Sequence, residues 1–160
     1  MAREIEPTPQ QRELMDFLIK ATKEGYAAGK GHIIHREDGS HSTMFKDGNY
    51  EIEDNWEGGE PFSGWERVRR NGAPVFWSMV YFGIDETHDE GTIPTLRAAL
   101  KVPPPEMPVR GPREFENGDF RYVNNWKGTI DAFEGSEAIY FKEARVYNCS
   151  YRGGLVNQQK

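Results

Sequence analysis

The sequence predicts an α+β fold: an internally duplicated helix plus three-stranded antiparallel meander, two copies forming one domain around a pseudo-twofold axis. Three observations predict it. The stretch NGDFRYVNNWKG at 117–128 rewrites DGNYEIEDNWEG at 47–58. The match continues in order, Phe62-x-Gly64-x-Glu66 with Phe133-x-Gly135-x-Glu137, then Trp77…Tyr81-x-Gly83 with Tyr147…Tyr151-x-Gly153. Ordered self-similarity of this kind marks repeated structural units. A helical pattern precedes each set. A lone three-stranded meander exposes an apolar face and two edges, so two copies gain by packing together. The repeats run about 9–83 and 92–156 within a single domain, 1–160, with a Pro-rich connector at 103–112.

Each element has a local reason. Thr8 can cap a helix, Pro9 suits its first position and Gln11 completes a capping box. Leu14, Phe17, Leu18 and Ala21 then recur at helical spacing, giving an amphipathic helix over about 9–24. The signal from 30 to 45 is poor: a short strand in GHIIHRE, then a turn at 38–40. Residues 49–56 alternate, with Tyr50, Ile52, Asp54 and Trp56 on one side. Residues 64–70 form the next strand, Asn71-Gly72 is a two-residue hairpin signal, and 74–82 form the third. After an acidic connector at 84–93, a short helix spans 94–102 and ends firmly at Pro103-Pro104-Pro105. The stretch to Pro112 reads as a stiff linker across the surface. Strands return at 119–126, 137–141 and 145–151.

Composition narrows the function. Aromatics make up 12% of the chain and the formal net charge is −6. No basic stripe of the kind that tracks a phosphate backbone is present, so no nucleic-acid partner is expected. No apolar run approaches the ~20 residues that span a bilayer. The N-terminus lacks the apolar core of a secretory signal, and the single cysteine, Cys149, allows no internal disulfide. Together these point to the cytoplasm and away from a membrane.

The candidate site lies where the two halves converge. Glu66 shares a strand side with Val68, and Glu137 shares one with Ile139 and Phe141. A carboxylate on an apolar face is costly unless something pairs with it. Either each pairs with an arginine, Arg67, Arg69, Arg110, Arg145 and Arg152 being available, or they await a ligand donor or cation. Trp56, Trp65, Trp77, Tyr81, Tyr147 and Tyr151 lie on the same strands and either pack the core or wall a pocket. His32 and His35 fall on opposite faces of a strand, His41 and His88 fall in loops, and no three or four ligands converge on a metal. No phosphate loop, nucleophile elbow or HExxH motif is present, so no cofactor is expected.

Phe62-x-Gly64-x-Glu66, Pro74-Val75-x-Trp77-Ser78-Met79-x-Tyr81-x-Gly83, Arg110-Gly111-Pro112, Phe133-x-Gly135-x-Glu137 and Tyr151-x-Gly153-Gly154, in that order, resemble an uncharacterised bacterial and archaeal family classed as a domain of unknown function. Its members are often fused behind a Cro/CI-type helix-turn-helix, which implies a cytoplasmic sensory or accessory domain. Too few residues precede the first helix here for a helix-turn-helix, so direct transcriptional control is not expected. Architecturally the expected fold is also similar to the GyrI-like effector-binding domains, which hold drug-like cations with a glutamate in an aromatic pocket. The leading expectation is a domain binding a small organic ligand, with Glu66 and Glu137 as polar anchors. The alternatives are a small lyase, isomerase or hydrolase using those two carboxylates as acid and base, or a homodimer joined along a sheet edge.

Overall fold

A computed structural model describes residues 5–25, 33–59, 61–87 and 89–158. Helix α1 spans Pro9–Glu24, and Thr8 and Gln11 form the expected capping box. Strands β1 (Ile34–His35), β2 (His41–Asp47), β3 (Tyr50–Gly58), β4 (Phe62–Arg70) and β5 (Trp77–Asp85) follow, then helix α2 (Thr92–Leu100). Strands β6 (Glu114–Asn117), β7 (Phe120–Thr129), β8 (Ala132–Phe141) and β9 (Ala144–Leu155) complete the chain.

All nine strands belong to one antiparallel sheet in the order β1-β2-β3-β4-β5-β9-β8-β7-β6. This overturns the expected pair of helix-plus-three-strand units. Three further strands, β1, β2 and β6, carry the meanders beyond three strands. The two runs do not pack face to face. They join edge to edge through nine residue pairs of β5 and β9, from Trp77↔Leu155 to Asp85↔Tyr147. Hydrogen bonding across that seam satisfies the two open edges, so no interface between separate units is needed. Nor does each helix serve its own set of strands. Leu14, Phe17, Leu18 and Ala21 of α1 share one core cluster with Ile52, Val68, Trp77 and Met79 from the first run and with Ile130, Phe133 and Tyr151 from the second. Leu96, Ala99 and Leu100 of α2 pack on Tyr122, Ile139, Val146 and Tyr147.

Both helices therefore cover one face of the sheet. The other face stays open, and Val80 and Phe82 on it are 56% and 52% exposed. The Pro-rich stretch, expected on the surface, instead runs inside: Met107, Val109 and Arg110 are buried. It closes the covered face between the helices and delivers a cation there.

Candidate functional site

The alternation of β3 puts Asp54 and Trp56 on the covered face, and the pairing of strands lines up their neighbours. Asp54 stands opposite Glu66, and Trp56 opposite Gly64. Gly64 faces Tyr81, Tyr81 faces Tyr151 and Asp85 faces Tyr147 across the seam, and Glu137 faces Asn124. Gly64 and Gly135 carry no side chain because the rings of Tyr81 and Tyr151 lie across them; a Cβ at either position would strike the phenol.

Two linked polar clusters result. In the first, Glu137 is fully buried and held from three sides. The Arg110 guanidinium grips both its oxygens, with Nε 3.1 Å from Oε2. Tyr147 donates to Oε1 at 2.8 Å and Tyr122 donates to Oε2. Tyr122 in turn accepts from the Gly111 amide at 3.0 Å, and Asn124 donates to the Gly111 carbonyl at 2.8 Å. Tyr151 donates to Asn124 Oδ1 at 2.7 Å. Burial works against the Arg110 charge, but Glu137 with Tyr147 and Cys149 outweighs it, and its pKa stands well above the ordinary value. Burial and the Glu137 charge likewise push the Tyr122 and Tyr147 hydroxyls up, so both remain donors.

The second cluster is anionic. Tyr81 donates to Asp54 Oδ1 at 2.6 Å. Burial pushes Asp54 up to about 6, with Tyr81 and Arg110 pulling it down. Burial and the neighbouring Asp54 charge push Glu66 up to about 8, opposed by Arg110. Among the described residues no donor hydrogen-bonds Glu66.

Beside these groups a cavity of about 480 Å³ opens between α2 and the sheet, bordered by Asp54, Asp85 and Arg110. Its walls are Trp56, Phe62, Tyr81 and Tyr147 from the sheet, with Ile93 and Leu96 from α2. Asp85 is 9% exposed, and among the described residues its Oδ1 has no hydrogen-bond partner.

Of the residues singled out from sequence, Trp56, Tyr81 and Tyr147 thus come together around one cavity. Glu66 stands beside it, facing Asp54 across the β3–β4 pair. Glu137 lies beneath Arg110, Tyr151 is buried against Phe133 and Asn124, and neither borders the cavity. Trp77 is buried under α1, its indole donating to the Ile130 carbonyl at 3.0 Å. Trp65 is on the open face, with the Arg67 guanidinium 3.8 Å from its ring centre. His41, expected in a loop, belongs to β2, with its Nδ1 2.7 Å from that of His35; His32 and His88 lie outside the described residues. Among the described residues no group of three or more His, Cys, Asp or Glu could hold a metal, and no helix is long and apolar enough to cross a membrane.

Sequence reasoning did not single out Asp54 or Asp85. Asp54 shares its strand side with Tyr50, Ile52 and Trp56, which makes it a carboxylate on an apolar face by the same argument that selected Glu66 and Glu137. Asp85 sits at the acidic end of β5 and carries no such signal.

Residues 54–156 match the model of a family described as a domain of unknown function, DUF5680, and the chain belongs to that family. The match opens at Asp54 and contains every residue of both clusters, while α1, β1 and β2 lie outside it. No curated protein and no solved structure matches the chain.

Proposed function

We propose that this protein binds a small organic cation in the cavity between α2 and the sheet. The carrying observation is the Asp85 carboxylate, buried against the cavity with one oxygen unpartnered among the described residues. A buried acceptor left unsatisfied costs about 1–3 kcal/mol, and more when charged; an organic cation seated in the cavity offsets the charged part of that cost even when it has no hydrogen to donate. The charge balance has the same sign. Arg110 is occupied by Glu137, which leaves Asp54 and Asp85 as the anionic groups on the cavity wall. Four aromatic side chains surround the space, and a ring facing a desolvated cation contributes about 0.5–2 kcal/mol. The volume lies within the range of roughly 300–1,000 Å³ usual for small-molecule sites. The resemblance to domains that stand behind a helix-turn-helix supports reading such a site as a sensor's.

Thermal shift with tetramethylammonium, choline and benzyltrimethylammonium tests the proposal, with 3,3-dimethyl-1-butanol as the neutral isostere of choline. A binder of the native state raises the unfolding temperature. At least one cation is expected to do so, the neutral isostere is not, and Asp85→Asn abolishes the shift. Equal shifts from choline and its isostere, or no shift from any cation, overturn the proposal.

A further inference from the structure

Cation binding places a demand on the two carboxyls beside the cavity. Asp54 and Glu66 are directly opposite in the β3–β4 register with side chains on the same face, where paired Cβ atoms stand about 4.5–5.5 Å apart. Like charges so placed repel, and both residues are half-buried, with little water to screen them. The surroundings offer little to neutralise two charges. On β5, Tyr81 gives its one hydroxyl proton to Asp54, and Asp85 adds a further negative charge beside the cavity. On β9, Tyr147 donates to Glu137 and Tyr151 to Asn124. Arg110, from the connector, is the cation nearest the pair in effect, and its guanidinium is bound to Glu137 on β8. Helix α2 presents Ile93 and Leu96 to the cavity. On β2, Thr43 faces Asp54 and the titratable His41 faces Trp56.

We infer that the site exchanges a proton for its cation: Asp54 and Glu66 share one proton in the ligand-free protein, and a cation binding at Asp54 expels it to solvent. This rests on the cation reading of the cavity. The balance is simple. One O–H bond of the carboxyl pair breaks, the proton passes to buffer, and the incoming positive charge takes its place with no change in the net charge of the site. Glu66 is the proton store and Asp54 the contact group. The titration of the pair, near 6 and near 8, places the single-proton state around neutral pH. Affinity for a cation therefore rises with pH through that window, approaching tenfold per pH unit where one full proton is released.

Titration calorimetry with benzyltrimethylammonium is the test, because a quaternary ammonium has no proton of its own to lose. At pH 7 the binding heat is expected to differ between phosphate and Tris buffers by the ionisation heat of about one proton. Affinity is expected to rise several-fold between pH 6.5 and 7.5. In Glu66→Gln, which keeps shape and leaves His41 in place, the buffer-dependent heat falls to zero. If benzyltrimethylammonium binds with the same affinity across that range and the same heat in both buffers, proton exchange is overturned while the cation reading stands. If neither benzyltrimethylammonium nor choline nor tetramethylammonium binds even at pH 8.5, both fall. If Glu66→Gln still releases a full proton, the store is another group and the assignment is overturned. The wild-type buffer comparison decides the matter even if the variant does not fold.

Discussion

Glu66 and Glu137 occupy similar sequence motifs and meet opposite fates, and single neighbours decide it. The residue facing Glu137 is the neutral Asn124; the residue facing Glu66 is the charged Asp54. Arg110 and two phenols close on Glu137, while no described donor reaches Glu66. Removing the arginine is then predicted to be severe. Arg110→Met leaves a fully buried carboxylate without its cation, a change that typically costs about 3–5 kcal/mol; urea unfolding at neutral pH measures it, and a loss under 1 kcal/mol contradicts the account. Both glutamates could be read from sequence as carboxylates on apolar strand sides. Which one would be neutralised could not, because Arg110 arrives from a Pro-rich stretch with no periodicity to show which way its side chains point. Asp54 alternates with the same kind of apolar neighbours, but its counterpart in the second run is Asn124, so no repeated carboxylate marks it.

Helix α1 shows what local sequence encodes well. Its cap, its start and its apolar stripe all follow from residues 8–21, and the observed helix ends at Glu24. Strands β2 and β6 show the reverse. In β2 the residues buried next to each other are Ser42 and Thr43, so neither alternation nor hydrophobicity marks it. β6 is a four-residue edge strand, Glu-Phe-Glu-Asn, that exists because β7 offers it a ladder. The buried course of the connector at 103–112 is hidden from pattern for a related reason: prolines lower the chain's conformational freedom but do not say whether it lies on the surface or beneath it. Where two strands meet, the fit is tighter than any pattern shows. On β8, Gly135 leaves the room that the Tyr151 ring of β9 fills. Gly135→Ala is expected to force that ring away from Asn124 and destabilise the protein by about 1–3 kcal/mol, the range for overpacked interiors. Chemical denaturation reads the loss, and an unchanged midpoint would refute the contact.

At the scale of the whole molecule, the carboxyl pair ties stability to pH. Asp54 and Glu66 both bind their protons more tightly in the folded protein than in the unfolded chain. Their contribution is thus fully present below the ordinary carboxylate range and is lost as pH rises from about 4 through about 8. Glu66→Gln should flatten that decline and leave the variant more stable than its parent at pH 8.5. A gain of 1 kcal/mol corresponds to roughly 2–4 °C in a chain of this size. Melting curves from pH 5 to 9 check the sign, and a variant less stable at pH 8.5 contradicts it. Repetition in the sequence suggested two separate helix-plus-meander units, whereas the strands join into one sheet through edge pairing that side-chain patterns do not encode.

That joining has a consequence in time. β5 finds its second neighbour only when β9 has been made, and Asp85 and Ala144 are separated by more than a third of the chain. At about 5–20 residues per second, a ribosome leaves the β5 edge, with Val80 and Phe82 beside it, unpartnered for several seconds. Newborn chains of this protein are accordingly most vulnerable to sticking to one another midway through translation, and slowing elongation between codons 86 and 144 would prolong the danger rather than relieve it.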